Sequence, residues 1–310
     1  MAALVIGHKN PDTDSIVSAI AVADLMSKLG IPARPVAQGP VTPETAFVLD
    51  AFGLARPEVV TSVAGRKVIL VDHSDAGLAP SDLQDAEVIA VVDHHKLGSV
   101  TTASPLLMWV WPVGCTATVI KAMYDFHGVE VPRNIAGGLL AAILSDTVIF
   151  KSPTTTDDDK KAAEVLAGIA GVSDCKSFGM EMFTVKSAVD GIPARELLFR
   201  DYKEFDMSGA KVGISQIEVI DLALLDKVKT SLAAEIAGIK AERGAHSVFL
   251  LLTDIVKEGS EMLFSSDNPA LLKEAFGLDS DRPAWLPGII SCKKDVTPKI
   301  EAALKARLNH

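Results

Sequence analysis

The sequence predicts an α/β protein of two domains: an N-terminal domain with a mostly parallel sheet flanked by helices, and a smaller C-terminal α/β domain. Three observations predict it. The 310 residues exceed the usual size of a single hydrophobic core. Over the first 186 residues short apolar runs alternate with helical patterns, and VILV and VIAVV are as continuous as strands buried on both faces must be. After residue 195 the texture changes to a long helix, a hairpin and a terminal helix. The expected boundaries are residues 1–186 and 195–310, joined by a linker over 187–194, SAVDGIPA, where Gly191 and Pro193 stand between two helical patterns.

Taken in order, strands are expected at 3–7, 33–38, 67–72, 87–92 and 142–150, and helices at 14–29, 43–52, 115–127 and 133–145. The last strand and helix overlap at AAILSD, which also reads as a helix end. SPLLMWVWP, residues 104–112, puts Trp109 and Trp111 on one side of a short strand; core packing is one reading, an edge pairing with a second copy the other. KSPTTT is a loop, followed by the helix DDDKKAAEVLAGIAG, where threonine caps and Asp157 to Asp159 complement the positive end of the helix dipole. In the second domain KVGISQIEV is a strand and LLDKVKTSLAAEIAGIKAER an amphipathic helix. SVFLLLTDIVKEGSEMLFSS is a hairpin turning at KEGS, a helix follows near 269–276, and LPGIISCKKDVTPKIEAALKARL is a strand, a lysine-bearing loop and a final helix.

Composition excludes several classes. A net charge of −10 opposes a phosphate backbone, so binding to long nucleic acid is not expected; cations for a small anion would have to gather in a cleft. No apolar stretch reaches the roughly 20 residues that span a bilayer, so no membrane role is expected. The N-terminus enters a strand without a basic region, so no signal peptide is expected. Cys115, Cys175 and Cys292 form neither a disulfide framework nor a C-x-x-C knuckle, which fits a reducing cytoplasm.

The chemistry collects at strand ends. In LVIGHKNPDTDS the run Leu4 to Ile6 breaks at Gly7 and releases His8, Asp12 and Asp14 onto a loop stiffened by Pro11, with Ser15 placed to help start the helix. Taken alone this could be a capped turn. VILVDHSD ends in Asp72, VIAVVDHH in Asp93, His94 and His95, and AAILSD in Asp146; the loops after strands of an open α/β sheet share one edge, so these residues can meet. A His-His pair can direct one ring at a metal and leave the other for substrate while the preceding carboxylate orients a ring, though a structural pair is the plainer alternative. Asp12, Asp14, Asp72 and Asp146 together demand cations, and two divalent ions would balance them. Imidazole and carboxylate without thiolate suit manganese or cobalt, and two such ions activate water towards phosphorus. Phosphoryl-group hydrolysis is the expected reaction.

GHKNPDTDS, VDHSD, VVDHHKLG, PVGCTAT, LSDTVIFKSPT, RDYKEF and GIISCKKDVTP together resemble the family II inorganic pyrophosphatases of the DHH phosphoesterase superfamily, over essentially the whole chain. The resemblance implies a DHH domain and a DHHA2-type domain with the active site in a cleft between them. It implies His8, Asp12 and Asp72 on one Mn2+ or Co2+ ion and Asp14, Asp72, His94 and Asp146 on the other, with Asp72 bridging. A hydroxide between the metals would attack pyrophosphate in line, His95 would contact the substrate, and Asp93 would support the site from behind. Lys203, Lys293 and Lys294 would meet the phosphates, with Mg2+ accompanying the substrate. Asp12, Asp72, His95, Lys203 and Lys293 are the expected catalytic set, and the resemblance favours a homodimer through the N-terminal domain.

The chain departs from the family at one position: Ser291-Cys292-Lys293-Lys294 stands where the pattern is Ser-Arg-Lys-Lys. A thiol cannot make the bidentate pair of a guanidinium, so weaker pyrophosphate binding is expected unless Lys294 or Arg282 takes over. Residues 114–118, GCTAT, start a helix and can point N–H groups at the site, although capping alone accounts for them. Cys115 and Cys175 read as small apolar fillers, His73 as a neighbour of the site or a surface residue, and His127, His246 and His310 as structural. The alternatives are another DHH phosphoesterase acting on short polyphosphate or a small nucleotide, or a metal-binding regulatory module without catalysis.

Overall fold

The computed structural model describes residues 2–189, 191–278 and 285–308; Arg282 and His310 lie outside them. The chain forms two compact units, residues 1–185 and 186–310.

In the first unit the elements run β1 (Ala3–Ile6), α1 (Thr13–Lys28), β2 (Ala33–Ala37), α2 (Pro43–Phe52), β3 (Glu58–Val59), β4 (Lys67–Val71), β5 (Glu87–Asp93), β6 (Leu107–Val110), α3 (Thr116–Phe126), α4 (Arg133–Asp146), α5 (Asp157–Ala170) and α6 (Cys175–Lys186). The six strands are all parallel, in the order β3-β2-β1-β4-β5-β6. Strand order reverses between β1 and β4, so the connections leaving these two strands run in opposite directions and open a crevice at their carboxyl ends. Alternation sorts the strand side chains: Val5, Ile69, Val71, Ala90 and Val92 join a cluster that takes in all six helices, and Leu4, Ile6, Val68, Leu70 and Val91 join a smaller one. That second face is covered by Val63, Ala79 and Leu83 of the connecting segments, so both faces are buried.

The strand expected at 142–150 does not form. Residues 142–146 complete α4, and Val148, Ile149 and Phe150 follow in left-handed backbone, at φ 50°, 52° and 63°. The cause of the misreading is burial: Ile135 to Ser145 are all inside, so the apolar run lacks the 3.6 period and imitates a doubly buried strand. Asp146 therefore ends a helix, not a strand. Around α5 the expected capping is present: Thr156 and Asp159 form a reciprocal capping box.

The second unit contains α7 (Ala194–Phe199), β7 (Lys203–Met207), β8 (Ala210–Val219), α8 (Lys229–Arg243), β9 (Ser247–Asp254), β10 (Gly259–Ser266), α9 (Leu271–Phe276), β11 (Trp285–Pro287) and α10 (Thr297–Leu308). Its mixed sheet has the order β11-β10-β9-β8-β7; β8 and β9 are parallel and the other pairs antiparallel. Val248, Leu250 and Leu252 face α7 and α8, while Phe249 and Leu251 face α9 and α10. The hairpin turns at residues 255–258, two residues before the expected KEGS, with Glu258 taking the positive φ of 55° and Gly259 already paired with Asp254. Among the described residues no helix is long and apolar enough to cross a membrane.

Candidate metal centre

The loop after β1 is held by its own backbone. Asp12 caps α1, its Oδ1 accepting from Ser15 N–H at 2.9 Å, and this leaves Oδ2 to face His8 Nε2 at 3.4 Å. The cap is thus Asp12; Ser15 instead offers its hydroxyl oxygen to His8 N–H at 3.1 Å. Gly7 allows that approach, because a Cβ there would lie 1.8 Å from Ser15 Oγ.

Asp72, the first residue past β4, is 2% exposed and stands in left-handed backbone at φ 62°, a conformation that Asp tolerates better than most residues. Its Oδ2 lies 3.2 Å from His8 Nε2, and its Oδ1 lies 3.5 Å from His94 Nε2, 3.6 Å from His95 Nδ1 and 3.0 Å from the Thr116 hydroxyl that donates to it. Asp72 thus faces imidazoles from the ends of both β1 and β5. Asp93, at the end of β5, accepts at Oδ1 from His94 N–H, His95 N–H and His95 Nδ1, the last at 2.8 Å, and so fixes the His95 ring. His94 is oriented differently, its Nδ1 lying 3.0 Å from the Val113 carbonyl, and its Nε2 lies 3.7 Å from Asp146.

Asp14 is fully buried and accepts from Thr116 N–H at 2.8 Å, Ala117 N–H at 3.2 Å and the Ser18 hydroxyl at 2.9 Å. The 114–118 segment therefore does send N–H groups into the site. Cys115, expected to be only a filler, is buried with its sulfur among the oxygens of Asp14 and Asp146; burial and those two carboxylates push its thiol well above its usual range. Residue spacing could not reveal this neighbour, because Cys115 and its acids come from three separate elements. Glu44 was likewise missed: buried near the start of α2, it accepts from Thr13 and Ser145, the neighbours of Asp12, Asp14 and Asp146 in sequence. Nothing in TPETAF separates it from an ordinary first-turn acid.

Three sets of atoms are each close enough to share an ion: His8 with Asp12 and Asp72, Asp14 with Cys115 and Asp146, and Asp72 with His94 and His95. Their chemistry fits a divalent cation. With Nδ1 donating to the Lys9 carbonyl at 2.7 Å, neutral His8 turns a lone pair on Nε2 towards two carboxylates, and among the described residues that buried atom has no hydrogen-bond partner. His94 is oriented alike, with Nδ1 on the Val113 carbonyl and Nε2 towards Asp72 and Asp146. Lone pairs facing carboxylate oxygens repel unless a cation or proton lies between them. Burial, then Asp72 and Asp12, raise Asp14 well above 3.8, and burial, then Asp12, raises Asp72. His73 is buried, with Nδ1 3.0 Å from the Val71 carbonyl and its pKa lowered by burial to about 4, so it is a neutral neighbour of the site rather than a surface residue.

In the second unit Lys203 opens β7 and pairs with Asp201 at 3.3 Å. Lys293 and Lys294 lie in a single wide helical turn, Cys292–Val296. Cys292 N–H donates to Gln216 Oε1 and its sulfur lies 3.9 Å from the Ser215 carbonyl, next along β8 from Ile214, the strand partner of Lys203. His127 packs its ring on Phe126, and His246 meets the Ser247 hydroxyl; neither joins the cluster.

The DHH family N-terminal domain matches residues 2–143 and the DHHA2 domain residues 180–303. The chain is 50% identical over 312 residues to an Archaeoglobus fulgidus protein assigned as a manganese-dependent inorganic pyrophosphatase, covering 96% of this chain and 97% of that one. It is 42% identical over 307 residues to the manganese-dependent inorganic pyrophosphatase of Methanothrix thermoacetophila, covering 97% and 98%. A crystal structure of a Methanococcus jannaschii protein assigned to the family II inorganic pyrophosphatases superposes with a TM-score of 0.89 at 43% identity, covering 98% of this chain and all of that one.

Proposed function

Because this chain belongs to the manganese-dependent (family II) inorganic pyrophosphatases, we propose that His8, Asp12 and Asp72 hold one divalent ion and Asp14, Asp72, His94 and Asp146 a second, with Asp72 shared. The protein is a hydrolase of inorganic pyrophosphate, yielding two orthophosphates. The observation that carries the two-ion reading is the geometry of Asp72, whose two oxygens face His8 on one side and His94 on the other. When bound, two ions supply Lewis acidity and lower the pKa of water next to the phosphoryl group. Mn2+ or Co2+ suits the imidazole and carboxylate donors, and Mg2+ accompanies the substrate.

The chain's own residues do the rest. Asp93 locks Nδ1 of His95 and so fixes the ring that would meet a phosphate oxygen. Lys203, Lys293 and Lys294 supply the positive charge that a highly anionic substrate needs once the carboxylates are balanced by metal. Asp12 and Asp72 would hold ions that neutralise developing negative charge. Residues 1–186 carry the metals, 195–310 bind the substrate, and 187–194 join them. The protein works in the cytoplasm as a homodimer through its N-terminal domain.

The test is phosphate release from pyrophosphate by metal-free protein, with Mn2+, Co2+, Zn2+ or Mg2+ returned separately. Turnover is expected with Mn2+ or Co2+. No turnover with any of the four would overturn the reading.

A further inference from the structure

Asp159 is a fully buried carboxylate 13 residues past Asp146 in sequence, and its hydrogen bonds exceed what a helix cap requires. A capping box needs its carboxylate to meet one N–H, here that of Thr156 at 2.7 Å. Asp159 Oδ2 also accepts from the Thr156 hydroxyl at 2.7 Å and from Gly114 N–H at 2.8 Å, and Oδ1 from the Thr118 hydroxyl at 2.6 Å. Among the described residues no cation pairs with it, so neutral donors carry the whole cost of burying its charge.

The two distant partners bracket the stretch that grips the metal ligands. Gly114 and Thr118 flank Thr116 and Ala117, whose N–H groups bind Asp14 and whose Thr116 hydroxyl binds Asp72. Gly114 is in close contact with the anchor: a Cβ there would lie 2.7 Å from Asp159 Oδ2 and 2.9 Å from Thr147 Cγ2. The start of α3 thus orients a carboxylate from each proposed ion set.

We propose that Asp159 is a positioning residue of the metal centre: by anchoring Gly114 and Thr118 it holds Thr116 and Ala117 where they orient Asp14 and Asp72. It touches neither ion nor substrate. The inference rests on the metal-centre reading above and adds a residue whose effect must travel through the first turn of α3. Thr156 provides the control, because Thr156→Ala removes the same helix cap and leaves the bonds to Gly114 and Thr118 in place.

The experiment measures Mn2+ affinity, from the free-ion electron paramagnetic resonance signal, alongside the Tm in chelator. Outer-sphere supports of metal ligands typically govern about 10- to 100-fold in affinity, and a loss in that range is expected for Asp159→Ala. Thr156→Ala should lower the Tm in chelator and leave Mn2+ affinity within about twofold of wild type. Asp159→Asn should recover most of the affinity, since its amide oxygen can serve Gly114 and Thr156 while its NH2 donates to the Thr118 hydroxyl. Should Asp159→Ala not fold, Thr118→Val removes one anchor at constant shape and should weaken Mn2+ severalfold. Equal Mn2+ affinity in Asp159→Ala and Thr156→Ala, or unchanged affinity in Thr118→Val, overturns the inference alone. Wild-type protein that binds no Mn2+ overturns the metal-centre reading and this inference together.

Discussion

Nε2 of His8 lies 3.2 Å from Oδ2 of Asp72, although the two residues leave different strands and are 64 positions apart. The turn from β1 into α1 therefore holds residues of both proposed ion sets: His8 and Asp12 turn to one side of Asp72, and Asp14, in the first turn of α1, turns to Cys115 and Asp146.

This geometry predicts an asymmetry. Asp14→Asn should weaken the second ion and leave the first, and Asp12→Asn should do the reverse, because their oxygens fall in separate sets. Titration of Mn2+ into metal-free protein resolves the two sites; equal weakening of both by either substitution would contradict the assignment.

The pH dependence follows from the shifts in the metal-free site. Burial, with Asp72 and Asp12, raises Asp14, and burial, with Asp12, raises Asp72; burial alone would lower His8, but Asp12 and Asp72 outweigh it and carry His8 well above 6.5. Each raised group stabilises the metal-free fold fully below its unfolded pKa, and loses that contribution as pH rises through its folded value. Mn2+ replaces those protons, so its binding tightens with pH. The gap between the Tm with saturating Mn2+ and the Tm in chelator should widen from the carboxylate range upward through and beyond pH 6.5. A constant gap would show that these groups do not bind the metal.

Gly7→Ala should cost about 1–3 kcal/mol, the usual penalty for overpacking, because its Cβ would collide with Ser15 Oγ. Ser15 also bonds His8 N–H and Asp12, so Mn2+ binding at that ion should fall with stability. Calorimetry showing an unchanged Tm would refute the close approach.

Cys292→Arg should lower KM for pyrophosphate by about tenfold or more, since a hydrogen bond to a charged group contributes roughly 1.5–3 kcal/mol. The present thiol is desolvated and, with Asp201 nearby, stays protonated, so it adds no charge to the lysine turn. Unchanged KM and kcat in a folded variant would remove the idea.

β6 is an edge strand, with Leu107 and Met108 about half exposed and Trp109 stacked edge-on against Phe126, itself 73% exposed. An apolar edge of this kind invites pairing with a second copy. Sedimentation equilibrium should give a dimer at micromolar concentration, and Met108→Lys should shift it towards monomer. Wild-type protein that stays monomeric would defeat the homodimer.

Local signals were legible wherever one segment held the whole cause. The runs at Leu4 to Ile6 and Val88 to Val92 marked strands through their continuity, the threonine cap and Asp157 to Asp159 marked the start of α5, and His8, Asp12 and Asp14 announced themselves by chemistry within one short segment. α4 misled because its burial on every side erased the helical period.

By itself the sequence determined the α/β class, the residue types that demand cations, and the family these motifs resemble. Only the tertiary structure decided which residues meet. The β3-β2-β1-β4-β5-β6 order places the ends of β1, β4 and β5 side by side, and α4 brings Asp146 to them from a helix end. It also brought Thr116, Cys115 and, at one remove, Asp159 to Asp14, Asp72 and Asp146. Spacing along a chain encodes neighbours within a turn or a strand, whereas a buried carboxylate finds its donors wherever packing brings them, here from positions up to 103 residues away.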